Sequence, residues 1–255
     1  MADRLVEYAR DGVVARLTLN SPHNRNALST TLVTQLHEGL RDAAADPGVR
    51  VVVLGHTGGT FCAGADLSEA GSGDPYDLAV ARAREMTTVL RAIVESPRPV
   101  IGAINGHVRA GGFGLVGACD IVVAGPACTF ALTEARIGVA PAIISLTLLP
   151  KLSARARYYL TGAKFGADEA AEMGLVTIAA DDMEAAVAAL IADVGRGSPQ
   201  GLAASKALTT AAVLAGFDRD AERLTEESAR LFVSEEAREG MLAFLQKRRP
   251  SWASD

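Results

Sequence analysis

Three segments of the chain carry residues whose types and spacing suit chemistry at a carbonyl group. Glu134 lies in the stretch 130–141, downstream of two glycine-rich turns at residues 61–67 and 105–114. Each turn follows an apolar run that can form a buried strand, so backbone N–H groups from both turns could point at one oxygen atom. Two such donors and one carboxylate are sufficient for an enzyme that forms an enolate from a thioester.

The two turns differ in how they would present their N–H groups. Gly111 and Gly112 can begin a helix, which leaves their N–H groups without partners inside it and at the positive end of the helix dipole. Glycine has no β-carbon to block a carbonyl oxygen that approaches the backbone. In the first turn, after Gly64, the N–H of Ala65 could be the second donor. Close helix packing beneath the turn is the structural alternative for the glycines.

Two acidic residues in these segments have different expected roles. Glu134 follows a semi-apolar stretch and precedes Gly138 and Pro141, a context in which a carboxylate is partly buried and its pKa rises toward the range useful for proton transfer. The alternative for Glu134 is an ordinary surface acid. Asp66 is expected to cap a short helix after Gly64 rather than to take part in catalysis.

Other catalytic motifs find little support. The run 112–117 matches G-x-G-x-x-G, but residues 105–111 separate it from its strand, whereas a dinucleotide-binding turn follows its strand at once. The chain contains no G-x-S-x-G, H-E-x-x-H or P-loop motif. His107 has no second histidine at metal-ligand spacing, so we expect no metal site.

The composition indicates a soluble, cytoplasmic protein. The chain has 255 residues, of which 49% are hydrophobic, enough to fill one large domain. Its formal net charge of −5 argues against nucleic acid as the main partner. The short basic cluster 247–249 either offsets a helix C-terminus or contacts a phosphate. The three cysteines lack CxxC spacing, and no apolar run is long enough to span a membrane.

Alternating strand and helix signals predict a layered α/β core followed by a helical region. The strands are expected at residues 13–19, 51–54, 100–104 and 121–124, and the helices between them at 29–46, 78–94 and 115–118. From about Ser145 helices dominate, at residues 154–160, 167–173, 183–194, 202–214, 222–232 and 234–247. The last amphipathic helices close over their own core or meet a neighbouring subunit.

The same residues resemble the crotonase superfamily, the enoyl-CoA hydratase/isomerase family. The resemblance extends over nearly the whole chain and rests on the segments 26–28, 61–67, 105–106, 111–112, 118–121, 130–141, 160–162 and 174–176. It implies an α/β spiral of ββα units over residues 1–195 and a helical C-terminal trimerisation region over residues 196–255. It also implies a homotrimer or a dimer of trimers.

The resemblance assigns roles to individual positions. The family's oxyanion hole falls on the N–H groups of Ala65 and Gly111, and the second of its two catalytic glutamates falls on Glu134. The first glutamate falls on Gly114, which is a departure from the hydratase pattern. The residues that contact coenzyme A fall on two loops: Asn24, Arg25, Ala63, Gly64, Asp66, Leu67 and Ser68. The substrate is then an acyl-CoA thioester, and no separate cofactor is implied because coenzyme A is part of the substrate.

The resemblance leaves three functions open. An enoyl-CoA hydratase would use Glu134 to add water across the double bond of a 2-enoyl-CoA. A double-bond isomerase would use the same single glutamate without water. The third possibility is an acyl-CoA-binding homologue that has lost turnover, since Gly114 stands where an acid is expected. By analogy, residues 74–89 and 142–146 would line the acyl pocket.

Overall fold

A computed structural model describes residues 3–66, 68–69, 72–153 and 155–253 of the chain. Within these residues the strands are β1 (Val6–Asp11), β2 (Val14–Leu19), β3 (Val51–His56), β4 (Thr60–Cys62), β5 (Val100–Ile104), β6 (His107–Arg109), β7 (Ile121–Ala124), β8 (Thr129–Ala131) and β9 (Ile178–Ala179). The helices are α1 (Thr30–Ala45), α2 (Pro75–Glu95), α3 (Gly111–Ala118), α4 (Ser145–Leu148), α5 (Arg155–Thr161), α6 (Ala167–Glu172), α7 (Met183–Gly195), α8 (Pro199–Phe232) and α9 (Glu235–Leu245). Short 3-10 helices cover Pro22–Asn24 and Glu134–Ile137.

The strands form two sheets that the chain visits in turn. One sheet has six strands in the order β1-β2-β3-β5-β7-β9, and the other has three in the order β4-β6-β8. All neighbouring strands are parallel except β1 and β2. The pairs β3 and β4, β5 and β6, and β7 and β8 each place their first strand in the larger sheet and their second in the smaller one. This is the predicted spiral of ββα units, and the predicted α/β class is confirmed.

The larger sheet is covered on both faces. Along β3, Val52 and Leu54 belong to the main core with α1, α2 and α3, whereas Val51 and Val53 pack toward Val187 of α7. Successive residues of a strand point to opposite faces, so a strand buried on both faces must be apolar throughout. The all-apolar runs at β3, β5 and β7 are therefore explained by the helices on either side.

Helices α1, α2, α8 and α9 each begin after a polar residue whose side chain caps the first turn. The side chains of Ser29, Asp74, Ser198 and Ser234 each accept a hydrogen bond from a backbone N–H in the first turn of their helix. On α1, apolar residues that recur at helical spacing are buried, among them Leu32, Leu36 and Leu40.

One helical prediction was wrong in its boundaries. Residues 202–214 and 222–232 belong to a single helix, α8, which is 34 residues long. Gly216 costs only about 1 kcal/mol within a helix, which is too little to end one that packs well on both sides of it. Phe217 is 1% exposed, and Asp218 accepts a hydrogen bond from Arg91 of α2 at 2.6 Å. Packing against α2 therefore carries the helix through the predicted break.

A buried ion pair anchors α8 to the core. The Nζ of Lys206 lies 2.8 Å from Oδ2 of Asp120, and the two side chains are only 4% and 15% exposed. The same ammonium donates to the carbonyl oxygen of Ile93 at 2.8 Å.

The boundary near residue 195, between the spiral core and the C-terminal helical region, stays a prediction. No helix in the described ranges has the length and apolar character that crossing a membrane requires.

Candidate active site

The turn after β4 is hydrogen-bonded to Leu28 in a way that leaves the N–H of Ala65 without a partner in the turn. Leu28 N donates to the carbonyl oxygen of Gly64 at 2.7 Å, and Asp66 N donates to the carbonyl oxygen of Leu28 at 3.1 Å. This is a parallel bridge between Leu28 and Ala65, in which the N–H of Ala65 itself points away from Leu28. Neither this N–H nor that of Gly111 donates to another residue in the described part of the chain.

The two glycine-rich turns meet at Gly64 and Gly111. A β-carbon on Gly64, whose φ is +97°, would lie 2.6 Å from Cβ of Ala110 and 3.5 Å from N of Gly111. Ala110 itself has φ 45° and ψ −122°, a conformation that residues with a β-carbon rarely adopt. The turn at Ala110 lets Gly111 open α3 beside the other turn, as predicted.

Both turns and Glu134 border one cavity of about 850 Å³. Ala65, Gly111 and Glu134 all line it, so the structure brings together the three residues predicted to carry the chemistry. Much of the remaining wall comes from α2 and from the segment after the second 3-10 helix. These residues include Pro75, Leu78, Arg82, Glu85, Met86, Pro141, Ile143 and Ile144, which largely coincide with the ranges expected for the acyl pocket.

Glu134 is a buried acid without a hydrogen-bond partner on one oxygen. It is 8% exposed, and its Oε2 has no partner among the described residues. Burial raises the pKa of Glu134 to about 7, and the backbone N–H groups of Glu134 and Thr133 offset part of this effect. The surface-acid alternative is therefore wrong. A carboxyl group with this pKa can both accept and return a proton near neutral pH.

The position of the absent acid, Gly114, is enclosed by apolar side chains. A β-carbon there would lie 2.6 Å from Cγ2 of Ile144 and 3.0 Å from both Cδ1 of Leu90 and Cε of Met86. Gly117, one turn along α3, is similarly close to Thr147 and Leu148 of α4. Close helix packing therefore accounts for the last two glycines of the G-x-G-x-x-G match.

The two loops predicted to contact coenzyme A lie side by side. Asn24 Nδ2 donates to Oδ2 of Asp66 at 3.1 Å, and Ala63 N donates to the carbonyl oxygen of Arg25 at 3.1 Å. Asp66 lines the cavity, whereas Asn24, Arg25, Ala63, Gly64 and Ser68 are absent from its described wall. Leu67 lies outside the described residues.

The expectation that Asp66 caps a helix was wrong. Its Oδ1 accepts hydrogen bonds from the N–H of Ser68 at 2.9 Å and from the Ser68 hydroxyl at 2.6 Å, which makes a turn closed by the aspartate side chain. The Ser68 hydroxyl is the main cause that lowers the pKa of Asp66. No helix follows within the described residues before α2.

Part of the cavity wall comes from a region that carried no functional prediction. The end of α8 and the whole length of α9 contribute Phe232, Arg238, Met241, Leu242 and Leu245. Helix α9 packs on the 3-10 helix that Glu134 begins and closes one side of the cavity of its own chain. Contact of the last helices with a neighbouring subunit stays a prediction. Near its end, Arg248 of the basic cluster pairs with Glu239 at 2.7 Å.

Comparison with known proteins identifies the family of this chain. The model of the enoyl-CoA hydratase/isomerase family matches residues 9–255. The chain belongs to this family. The predicted resemblance to the crotonase superfamily is thus confirmed, and this family member is an enzyme for which the family implies an acyl-CoA thioester substrate.

Relatives of this hydratase/isomerase family member cover nearly its whole length. It is 75% identical to an enoyl-CoA hydratase from Mycobacterium avium, whose crystal structure has a TM-score of 0.93 and coverage of 98% of this chain and 100% of that one. It is 33% identical over 253 residues to the 2,3-dehydroadipyl-CoA hydratase of Escherichia coli, with 96% of each chain covered. It is 30% identical to the 1,2-epoxyphenylacetyl-CoA isomerase of Escherichia coli, with 99% of each covered.

Proposed function

We propose that this family member is an enoyl-CoA hydratase with one catalytic acid. The Glu134 carboxylate takes a proton from water as the hydroxide forms a bond to C3 of a 2-enoyl-CoA. The electrons of the double bond move to the thioester oxygen, and the resulting enolate accepts hydrogen bonds from the N–H groups of Ala65 and Gly111. Glu134 then returns its proton to C2, which completes the 3-hydroxyacyl-CoA.

The observation that carries this proposal is the position of Glu134. A carboxyl group whose pKa burial raises to about 7 lines the same cavity as the two backbone N–H groups that donate to no described residue. Fixed backbone donors stabilise developing charge without having to reorganise during the reaction. Relatives that are named an enoyl-CoA hydratase and a 2,3-dehydroadipyl-CoA hydratase also favour hydration.

The second candidate is a double-bond isomerase, which the surroundings of Gly114 favour. Ile144, Leu90 and Met86 occupy the space where a second acid would help to hold water. In an isomerase Glu134 would carry one proton between C2 and C4 of the acyl group, and no water would enter. An isomerase also stands among the relatives.

The remaining features of the proposal follow the family resemblance. Asn24, Arg25, Ala63, Gly64, Asp66, Leu67 and Ser68 would contact coenzyme A, with the cation of Arg25 available for a phosphate group. We also propose a homotrimer or a dimer of trimers, assembled through the helical region 196–255, in the cytoplasm. Light scattering of the purified protein would test the assembly.

Two substrates separate the candidate functions. Purified protein is incubated in separate reactions with a 2-enoyl-CoA and with a 3-enoyl-CoA, and the products are separated by chromatography and identified by retention time and mass. A hydratase raises the mass of the first substrate by one water molecule, whereas an isomerase converts the second substrate into the first, which has the same mass but a different retention time. Binding of both esters in a calorimetric titration, with conversion of neither, would indicate a homologue that has lost turnover.

A Glu134→Gln variant tests the assigned acid. Loss of general acid–base catalysis is expected to lower kcat by roughly 10²- to 10⁴-fold while binding of the CoA ester is retained. Asp77→Asn is a suitable control because Asp77 lies on an exposed turn of α2 and does not line the cavity. A Glu134→Gln variant as active as the parent on either substrate would refute both enzymatic candidates.

A further inference from the structure

The hydroxyl of Tyr159 is a buried polar group that the proposed mechanism does not use. Three buried side-chain atoms have no hydrogen-bond partner among the described residues: Arg98 Nε, Glu134 Oε2 and Tyr159 Oη. Buried polar atoms without partners are rare, and each one calls for a physical explanation. Two of these three lie on elements that pack against each other, namely α5 and the 3-10 helix that Glu134 begins.

Hydrogen bonds hold these two elements in a fixed relation. The guanidinium of Arg136 donates to the carbonyl oxygen of Thr161 through Nε at 3.0 Å and Nη2 at 2.6 Å. Arg136 and Thr161 each lie two residues beyond Glu134 and Tyr159. Gly162 follows with φ +61°, and a β-carbon on it would lie 2.9 Å from the carbonyl oxygen of Leu132. The segment before Glu134 and the end of α5 are thus tied together.

The charge of Glu134 also acts on the hydroxyl of Tyr159. Burial, and after it the negative charge of Glu134, raise the pKa of Tyr159, while Arg155 opposes them. The phenol therefore keeps its proton at neutral pH and can only donate or accept as a neutral hydroxyl, whereas an ionised Glu134 can only accept. Tyr159 Oη can therefore donate a hydrogen bond and an ionised Glu134 Oε2 can accept one, and neither oxygen has a partner among the described residues.

The described charged side chains on the elements packed around Glu134 and Tyr159 supply no hydrogen-bond partner for either group. Those on α5, on the 3-10 helix and on α9, which packs on the 3-10 helix, are Arg155, Arg157, Arg136, Glu235, Glu236, Arg238 and Glu239. None of them forms a hydrogen bond or an ion pair with Glu134 or Tyr159 in the described part of the chain. Of these groups, only Arg155 affects the pKa of Tyr159, and none affects the pKa of Glu134.

We propose that Tyr159 is a positioning residue for Glu134, and that its hydroxyl donates a hydrogen bond to the Glu134 carboxylate through one bridging water molecule. A water-mediated contact of this kind is nearly as favourable as a direct one. It orients Oε2 and favours the ionised form that accepts the proton from the attacking water. This inference rests on the proposed function, in which Glu134 is the acid–base group, and it gives the carboxylate a second anchor at a site that lacks the acid at Gly114.

The adjacent tyrosine provides a matched control. Tyr158 is 4% exposed, and its hydroxyl donates to Oε1 of Glu169 at 2.6 Å. Its ring centroid lies 4.5 Å from that of Phe165. A Tyr158→Phe substitution removes the same hydroxyl from the same helix but leaves Glu134 untouched. In Tyr159→Phe the ring and its packing remain, and only a hydroxyl without a protein partner is removed, so the variant is expected to fold.

The test compares the titration of Glu134 in the parent, Tyr159→Phe and Tyr158→Phe. A hydrogen bond to a carboxylate favours its charged form, so its removal raises the pKa of that carboxyl group. We expect the acid limb of the kcat/KM profile to move up by about one pH unit in Tyr159→Phe and to stay in place in Tyr158→Phe. The 13C NMR signal of the Glu134 carboxyl group, assigned by its loss in Glu134→Gln, is titrated in the substrate-free proteins as well.

The NMR titration keeps this inference separate from the proposed function. An upward shift of the Glu134 midpoint in Tyr159→Phe alone supports the positioning role, even if no enoyl-CoA is converted and the proposed function fails. Equal midpoints in Tyr159→Phe and the parent overturn the positioning role, whatever the activity. An equal upward shift in both tyrosine variants overturns it too, because the effect would then arise from general loosening of α5.

Discussion

Gly240 on α9 lies directly against the main chain of Ile137, the last residue of the 3-10 helix that Glu134 begins. A β-carbon on Gly240 would lie 2.5 Å from both the carbonyl carbon and the carbonyl oxygen of Ile137. Gly138 completes the contact, because a β-carbon on it would lie 2.6 Å from the carbonyl carbon of Glu236. The helix that closes the cavity and the segment that carries the acid are thus in backbone contact.

A Gly240→Ala substitution should disturb the acid from a distance. The added methyl group has no room beside Ile137, so either α9 or the 3-10 helix must shift. Overpacking of this kind costs about 1–3 kcal/mol of unfolding free energy. We also expect a lower kcat/KM, because Glu134 moves with its helix. Urea unfolding and steady-state kinetics measure the two effects.

Gly216→Ala is the matched control for this substitution. Gly216 lies within α8, and a β-carbon on it would meet nothing within 4 Å. Alanine is better than glycine in a helix by up to about 1 kcal/mol, so this variant should be as stable as the parent or more so, with unchanged kinetics. If Gly240→Ala behaves like Gly216→Ala, α9 does not hold the Glu134 segment.

The sequence predicts those elements that carry a strong local signal. Strands β5 and β7 match the predicted residues because both are apolar runs between clear breaks. Strands β4, β6 and β8 escape prediction because each is only three residues long, too short to show a period of two. They form through pairing between distant residues, such as His107 with Thr129.

The same division applies to the site. The glycine-rich turns and the apolar context of Glu134 are local features, and the family resemblance joins them into one site. The wall formed by Met241, Leu242 and Leu245 is different, because an amphipathic helix reveals that one face is covered but not what covers it. The local context of Glu134 predicts partial burial but does not decide between this and a surface acid, since burial depends on residues far along the chain.

Burial of Glu134 predicts a fold that is less stable at higher pH. The pKa of this group is about 7 in the folded chain against an ordinary value of 4.5, so the native state binds more protons than the unfolded state between these values. By linkage, its contribution is fully present below about pH 4.5 and is lost as the pH rises to about 7. The loss amounts to about 3 kcal/mol of unfolding free energy.

The Glu134→Gln variant isolates this effect, because glutamine does not titrate. Urea unfolding at several pH values from 4 to 8 is compared for the variant and the parent. The stability of the variant relative to the parent should rise between about pH 4.5 and 7 and then stay constant. A difference that is independent of pH over this range would show that Glu134 is hydrated in the folded protein.

Removal of the buried ammonium of Lys206 should destabilise the protein strongly. A Lys206→Met substitution leaves the carboxylate of Asp120 in a site where its side chain is only 15% exposed, although Val100 N still donates to it at 2.7 Å. Breaking a buried ion pair in this way costs about 3–5 kcal/mol. Thermal and urea unfolding measure this cost.

Arg91→Ala provides the comparison for Lys206→Met. Arg91 also joins α2 to α8, through Asp218 at 2.6 Å, but the two side chains are 36% and 64% exposed. An exposed pair contributes roughly 0–1 kcal/mol, and added salt weakens it further. If the two variants lose similar stability, the anchoring of α8 does not depend on burial of the Lys206 ion pair.

Placing an acid at Gly114 should not by itself produce a better hydratase. The β-carbon of a Gly114→Glu variant would already lie 2.6 Å from Cγ2 of Ile144, and the carboxylate would enter an apolar environment. Overpacking costs about 1–3 kcal/mol, and an unpaired buried charge costs more. We expect lower stability and no gain in hydration rate, measured by unfolding and by formation of the 3-hydroxyacyl product.

Adding Ile144→Ala to Gly114→Glu should reduce the loss of stability that the new acid causes. An Ile144→Ala substitution removes the closest side chain, and the cavity that Ile144 lines then gives the new carboxylate access to water. The double variant Gly114→Glu with Ile144→Ala is therefore expected to be more stable than the sum of the two single effects predicts. Simple additivity would mean that the side chain at position 114 points away from Ile144. A hydration rate raised by Gly114→Glu alone would show that the apolar side chains around position 114 yield readily to an acid.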